Sequence, residues 1–107
     1  MPVPYEQTTT YRKGACNGPH AILSASREVE LFDDELEVEP YLEGIHTLDE
    51  LEITAEGPEK MTEKIHDAAG AIIDNEKMIC MLGGEHSIST GLVRAYKDKY
   101  PDLSVLQ

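Results

Sequence analysis

Residues 77–96 constrain the fold more than any other part of the chain, because an apolar run, a glycine turn and an amphipathic helix follow one another there. The run Met78–Leu82 has the length and composition of a strand that is covered on both faces, although a buried helical turn has the same pattern. Gly83–Gly84 ends the run, and apolar residues then recur at helical spacing. Glu85 and His86 are therefore predicted between the carboxyl end of a strand and the start of a helix, where α/β proteins commonly place their active sites.

Apolar periodicity and helix-start residues predict three helices. The first runs from about Pro19 to Arg27, because proline is favoured in the first helical turn. The second starts at Gly57–Pro58 and the third covers about Ser87–Lys99. The apolar stripe of the second helix consists of Met61, Ile65, Ala68, Ala69 and Ile72.

The order of these elements predicts an α/β fold with a parallel sheet. The closing run Leu103–Leu106 has the character of a strand, and the third helix separates it from Met78–Leu82. A helix of about thirteen residues between two strands suits a right-handed crossover, so we expect the two strands to be parallel neighbours. No repeat, linker or low-complexity tract divides the 107 residues, which indicates a single domain.

The composition excludes several classes of function. A formal charge of −12 disfavours nucleic-acid and membrane-surface roles and favours cationic partners. From Glu28 to Glu59 the chain has thirteen acidic residues and no Lys or Arg, and these acids form either a solvated surface or a field that steers a basic substrate. No apolar run approaches the roughly 20 residues of a membrane-spanning helix, and the amino terminus lacks a secretion signal, so we expect a cytoplasmic location.

The cysteines and most histidines carry no recognisable site. Cys16 and Cys80 match no zinc or redox spacing, so we expect two reduced thiols, with Cys80 buried in the central strand; a disulfide is the alternative. The remaining histidines share no short ligand spacing with His86 and are expected in loop, strand and exposed helical positions: His20, His46 and His66.

The motif at residues 81–88, Met-Leu-Gly-Gly-Glu-His-Ser-Ile, resembles the first metal-ligand motif of the ureohydrolase family of arginases, agmatinases and formimidoylglutamases, in its agmatinase-like form. Residues 9–15, 18–22 and 25–26 are similar to the family's glycine-rich loop and first helix, in the family's order. The resemblance implies a three-layer α-β-α, arginase-like domain. It also implies that this sequence carries only an N-terminal part, incomplete at both ends, because the family's Asp-Ala-His-x-Asp motif would follow the segment that matches Leu103–Leu106.

The resemblance implies a manganese-dependent amidinohydrolase that cleaves a guanidino compound such as agmatine into urea and an amine, and that forms a homo-oligomer. In this family two manganese ions bridge the hydroxide that attacks the guanidinium carbon. His86 is implied as one manganese ligand, whereas the residues alone also allow a helix-start or core histidine. Because one ligand cannot hold two ions, the 107-residue chain by itself is predicted to be inactive. The alternative is a non-catalytic α/β interaction or metal-binding module that associates with another chain.

Three further polar residues have roles that their positions indicate, and none is a catalytic residue. Glu85 either orients His86 through a hydrogen bond or serves as an anion at the helix start. Asn17 lies in a loop that the family places near the active-site mouth or a subunit contact, and it either contacts substrate or stabilises a turn. Ser87 is predicted as a helix cap rather than a nucleophile, because the sequence has no G-x-S-x-G elbow.

Overall fold

The computed structural model describes residues 1–106, which form three α-helices, two short strands and several irregular connections. The strands are β1 (Pro2–Val3) and β2 (Leu82–Gly83), and the helices are α1 (Gly18–Ala25), α2 (Pro58–Ile73) and α3 (Ser89–Lys99). Single 3-10 turns occupy Ala15–Asn17, Ser26–Glu28, Pro40–Glu43 and His86–Ile88. Within residues 1–106, no helix has both the length and the apolar character needed to cross a bilayer.

The three predicted helices are confirmed. Pro19 lies in the first turn of α1, and Gly57, whose φ of 106° favours glycine, precedes α2. The buried stripe of α2 is Met61, Ile65, Ala69 and Ile73. The expected Ala68 and Ile72 are not among the buried residues, and Ile73 takes the last core position because it follows Ala69 at the four-residue step that keeps side chains on one face.

The sheet is parallel, as predicted, but its pairing differs from the prediction. β2 pairs with β1, with Pro2 opposite Leu82, and not with Leu103–Leu106. The amide of Leu103 donates to the carbonyl of Tyr100 in a turn, and residues 104–106 are exposed and lie outside any strand. The closing run therefore has an apolar pattern but lacks the packing surface on which a strand depends.

The central strand is also shorter than Met78–Leu82, because only Leu82 and Gly83 pair with a neighbouring strand. Met78 is 93% exposed, and Cys80 is exposed rather than buried. Cys80 and Cys16 are both free cysteines, so the expected reduced pair is confirmed.

The core lies between the start of the chain and the two longer helices. Val3 and Tyr5 pack with Met61 and Ile65 of α2, and Ile88 closes this cluster from the turn before α3. Buried Gly91 lets the helices approach closely, since a β-carbon there would lie 2.7 Å from the Thr62 carbonyl oxygen. This packing holds the start of α3 beside the end of β2.

Candidate functional site

The glycine turn after β2 is shaped by a close approach to the first segment of the chain. The amide of Gly84 donates to the carbonyl of Val3 at 3.2 Å, and the amide of Glu85 donates to that of Tyr5 at 3.0 Å. A β-carbon on Gly84 would lie 2.2 Å from the Tyr5 carbonyl oxygen, a distance that real structures do not tolerate. Gly84 is therefore required by backbone packing.

The turn His86–Ile88 presents His86 to solvent while Ile88 is buried in the core. A cleft of about 370 Å³ opens at this point. One wall is Gly84–Ser87 and the other is Thr8–Tyr11, with Ala15 completing the lining. The arrangement agrees with the predicted position of His86 at the carboxyl end of a parallel strand.

The Glu85 carboxylate joins the two walls of this cleft. It accepts hydrogen bonds from the Thr8 amide at 2.8 Å, from the Thr8 hydroxyl, from the Thr9 hydroxyl at 3.4 Å, and from the Ser87 hydroxyl. Burial opposes ionisation of Glu85, but the hydrogen bonds from Ser87 and Thr8 outweigh it and lower the pKa of the carboxyl. Glu85 is thus held ionised between the strand end and the threonine segment.

Asn17 lies apart from this cleft. It lines a second cleft of about 530 Å³ with Pro4, Glu6, Gln7, Lys13, Gly14, Cys16 and Ile53. Glu6 organises that cleft, because its carboxylate accepts the amides of Gly14 and Cys16 at 2.8–2.9 Å. Hydrogen bonds from Cys16 and Gly14 lower the pKa of Glu6, and the contact with Glu6 raises the pKa of the Cys16 thiol, which disfavours a reactive thiolate. The substrate role of Asn17 stays a prediction.

The described residues do not form a complete metal site. Among residues 1–106, no group of three or more His, Cys, Asp or Glu side chains is placed to hold a metal ion. Glu85 and His86 are the acidic and imidazole side chains that line the cleft at the end of β2. The Glu85 carboxylate already accepts four hydrogen bonds, which leaves it little capacity to bind a metal ion. Within residues 1–106, His86 is therefore the single candidate ligand at this cleft, and these residues alone do not hold the two-metal site that the resemblance implies.

The other histidines lie away from the cleft. His20 lies in α1 rather than in a loop or strand, His46 lies in an irregular connection, and both are exposed. His66 was expected to be exposed, but it is half-buried because Nε2 lies 2.7 Å from Asp98 of α3 and Nδ1 lies 3.0 Å from Asp67. Hydrogen bonds to Asp98 and Asp67 raise the pKa of His66, and burial and the charge of Arg94 oppose this effect.

The threonine segment Thr8–Tyr11 is the part of the cleft whose contact with Glu85 was not predicted, although residues 9–15 resemble the family's glycine-rich loop. The partner Glu85 is more than 70 residues away in the sequence. The pairing of β1 with β2 and the backbone hydrogen bonds from Gly84 to Val3 and from Glu85 to Tyr5 bring the two together.

Comparisons with known proteins give a consistent family assignment. A sequence model described as the arginase family matches residues 1–107. The N(1)-aminopropylagmatine ureohydrolase of Synechocystis is 39% identical over 100 residues, which cover 89% of this chain and 33% of that protein. The enzyme of the same name from one strain of Thermus thermophilus is 37% identical over 106 residues, which cover 99% of this chain and 36% of that protein.

A solved structure agrees with the sequence comparisons. The crystal structure of the agmatine ureohydrolase of Thermoplasma volcanium matches with a TM-score of 0.81 and 30% identity, over 88% of this chain and 32% of that one. The architecture is therefore arginase-like, with helices packed on a parallel sheet. The chain spans about a third of the length of the curated relatives that it matches. The match of the family over all 107 residues shows that the chain belongs to the arginase family.

Proposed function

We propose that this chain forms part of the active site of a manganese-dependent amidinohydrolase, which hydrolyses a guanidino compound of the agmatine type to urea and an amine. The observation that carries the proposal is the cleft at the end of β2, where His86 is exposed. The sequence around His86 lies within the match to the arginase family. The relatives named as ureohydrolases of agmatine and N(1)-aminopropylagmatine support this class of substrate.

The chemistry of the cleft suits the proposal. A volume of about 370 Å³ is within the range of small-molecule sites, roughly 300–1,000 Å³. A neutral imidazole is a suitable ligand for manganese, which also accepts carboxylate oxygens, and a manganese pair supplies an activated hydroxide when bound. His86 would provide one ligand, and the others would come from residues outside this sequence. Asn17, in the neighbouring cleft, is proposed as a substrate-loop residue.

The distribution of roles within the chain follows from its contacts. His86 is accessible at the cleft, whereas Ile88, two residues later, is fixed in the core and sets the direction of the turn. Gly84 lets the turn lie against the Tyr5 backbone. We therefore assign metal binding to His86 and the orientation of its turn to Gly84 and Ile88. We assign proton transfer to none of these residues.

A chimera tests the proposal. Residues 1–107 replace the matched third of the Thermus thermophilus relative, and the product, called the chimera below, is assayed for urea release from agmatine and from N(1)-aminopropylagmatine with added Mn²⁺. We expect urea release from one of these substrates. The remaining two thirds of the relative without this chain is the control and is expected to release none. A folded chimera that binds manganese but releases no urea would contradict the proposal and favour an interaction module.

A further inference from the structure

We infer that Glu85 is a positioning residue, whose carboxylate holds the threonine segment Thr8–Tyr11 as the second wall of the His86 cleft. The inference rests on the proposed function for the identity of the substrate, which is a guanidino cation. It concerns the shape of the site rather than the metal chemistry. Three of the four hydrogen bonds to this carboxylate come from the threonine segment.

The hydrogen-bond geometry separates this role from metal ligation. One oxygen, Oε1, accepts the hydroxyls of Thr8 and Ser87, and the other, Oε2, accepts the Thr8 amide and the Thr9 hydroxyl. An ionised carboxylate offers about four acceptor positions, so these contacts occupy its capacity. Glu85 therefore acts on the cleft through the segment that it holds.

The threonine segment depends on such contacts because it has no regular secondary structure between Thr8 and Gly14. Glu6 fixes the far end of the loop through the amides of Gly14 and Cys16. Glu85 fixes the near end across a sequence separation of 77 residues. The carboxylates of Glu6 and Glu85 thus hold the two ends of one loop. Glu85 also connects this loop to the turn that bears His86.

The wall has the chemistry to receive a guanidino cation. It presents the threonine hydroxyls, which accept hydrogen bonds, and the largely exposed ring of Tyr11. The guanidinium of Arg12 lies 5.3 Å from the centre of that ring, a distance at which an aromatic ring attracts a cation of this class. Displacement of the wall would therefore weaken substrate binding before it changed the metal site.

Amide hydrogen exchange in the 107-residue chain tests the holding contact. In Glu85→Gln we expect exchange of the Thr8 amide to rise about tenfold or more, because a charge-assisted hydrogen bond is lost. The amide of Ile65 in the core should change by less than about twofold. Glu50→Gln, at an exposed carboxylate outside the cleft, removes the same charge and is the matched control. Thr8→Val keeps the amide but removes the hydroxyl, and we expect a smaller rise.

The inference is wrong if Thr8 exchanges no faster in Glu85→Gln than in Glu50→Gln, or if Thr8 and Ile65 accelerate together. In the chimera we expect Glu85→Gln to raise KM for the guanidino substrate about tenfold, with a smaller change in kcat and unchanged manganese content. An unchanged KM would also overturn it. If the parent chimera releases no urea, the proposed function fails, while Thr8 exchange still decides whether Glu85 holds the wall.

Discussion

Replacement of Gly91 by alanine tests the contact between α2 and α3 that fixes the helix after His86. The new β-carbon would lie 2.7 Å from the Thr62 carbonyl oxygen and 2.8 Å from Cβ and Cγ2 of Ile65. The first of these atoms belongs to the backbone of α2, so the two helices must separate to admit the methyl group. Overpacking of this kind costs about 1–3 kcal/mol, and the better helix propensity of alanine offsets about 1 kcal/mol. We expect a net loss of up to about 2 kcal/mol in the free energy of unfolding.

Gly70→Ala is the matched control, because Gly70 is also helical and a β-carbon there would meet nothing within 4 Å. Only the propensity term applies, so we expect this variant to gain about 0.5–1 kcal/mol. For a domain of this size 1 kcal/mol corresponds to about 4–8 °C in Tm. Thermal and urea unfolding followed by circular dichroism should therefore move in opposite directions for the two variants. If Gly91→Ala is as stable as Gly70→Ala, the inferred close approach of the helices is wrong.

Three other predictions follow from particular contacts. Gly84→Ala should lower the free energy of unfolding by about 3 kcal/mol, since the clash with the Tyr5 carbonyl is more severe than that at Gly91; stability within about 0.5 kcal/mol of the parent would contradict this. The pKa of His66 is raised in the folded state, so its contribution is present below the unfolded value of about 6.5 and is lost as pH rises through the folded value. The stability difference between parent and His66→Gln should therefore be larger at about pH 5.5 than at about pH 8, and a pH-independent difference would refute the role of Asp98. The 107-residue chain alone should release no urea from agmatine with excess Mn²⁺, and substantial release would show that the ligands have been misplaced.

The parts of the fold that follow from local sequence were predictable. The stripe of α2 repeats at helical spacing from Met61 to Ile73, and proline or glycine marks the start of α1 and α2, so the existence of these helices did not depend on distant contacts. Strand extent was not predictable in the same way. The apolar run Met78–Leu82 becomes a strand only where β1 supplies a partner, and Leu103–Leu106 has none among the described residues.

The candidate site shows the same division. His86 was found from the glycine turn and the family-like motif around it, which are local features. The resemblance marked residues 9–15 as the family's loop, but the contact of Thr8 with Glu85 was not predicted, because the two residues are distant in the sequence and the pairing of β1 with β2 brings them close. Sequence alone left two roles open for Glu85, and the four hydrogen bonds to its carboxylate are the observation that adds a third.

The manganese content of the purified chimera tests the central claim most directly. We expect His86→Ala to lose about one manganese ion per subunit, with a large fall in urea release and an unchanged fold, because an exposed imidazole is removed without opening a core cavity. His46→Ala, at an exposed histidine outside the cleft, should retain the manganese content of the parent. Equal manganese content and equal urea release in His86→Ala and the parent would remove His86 from the metal site.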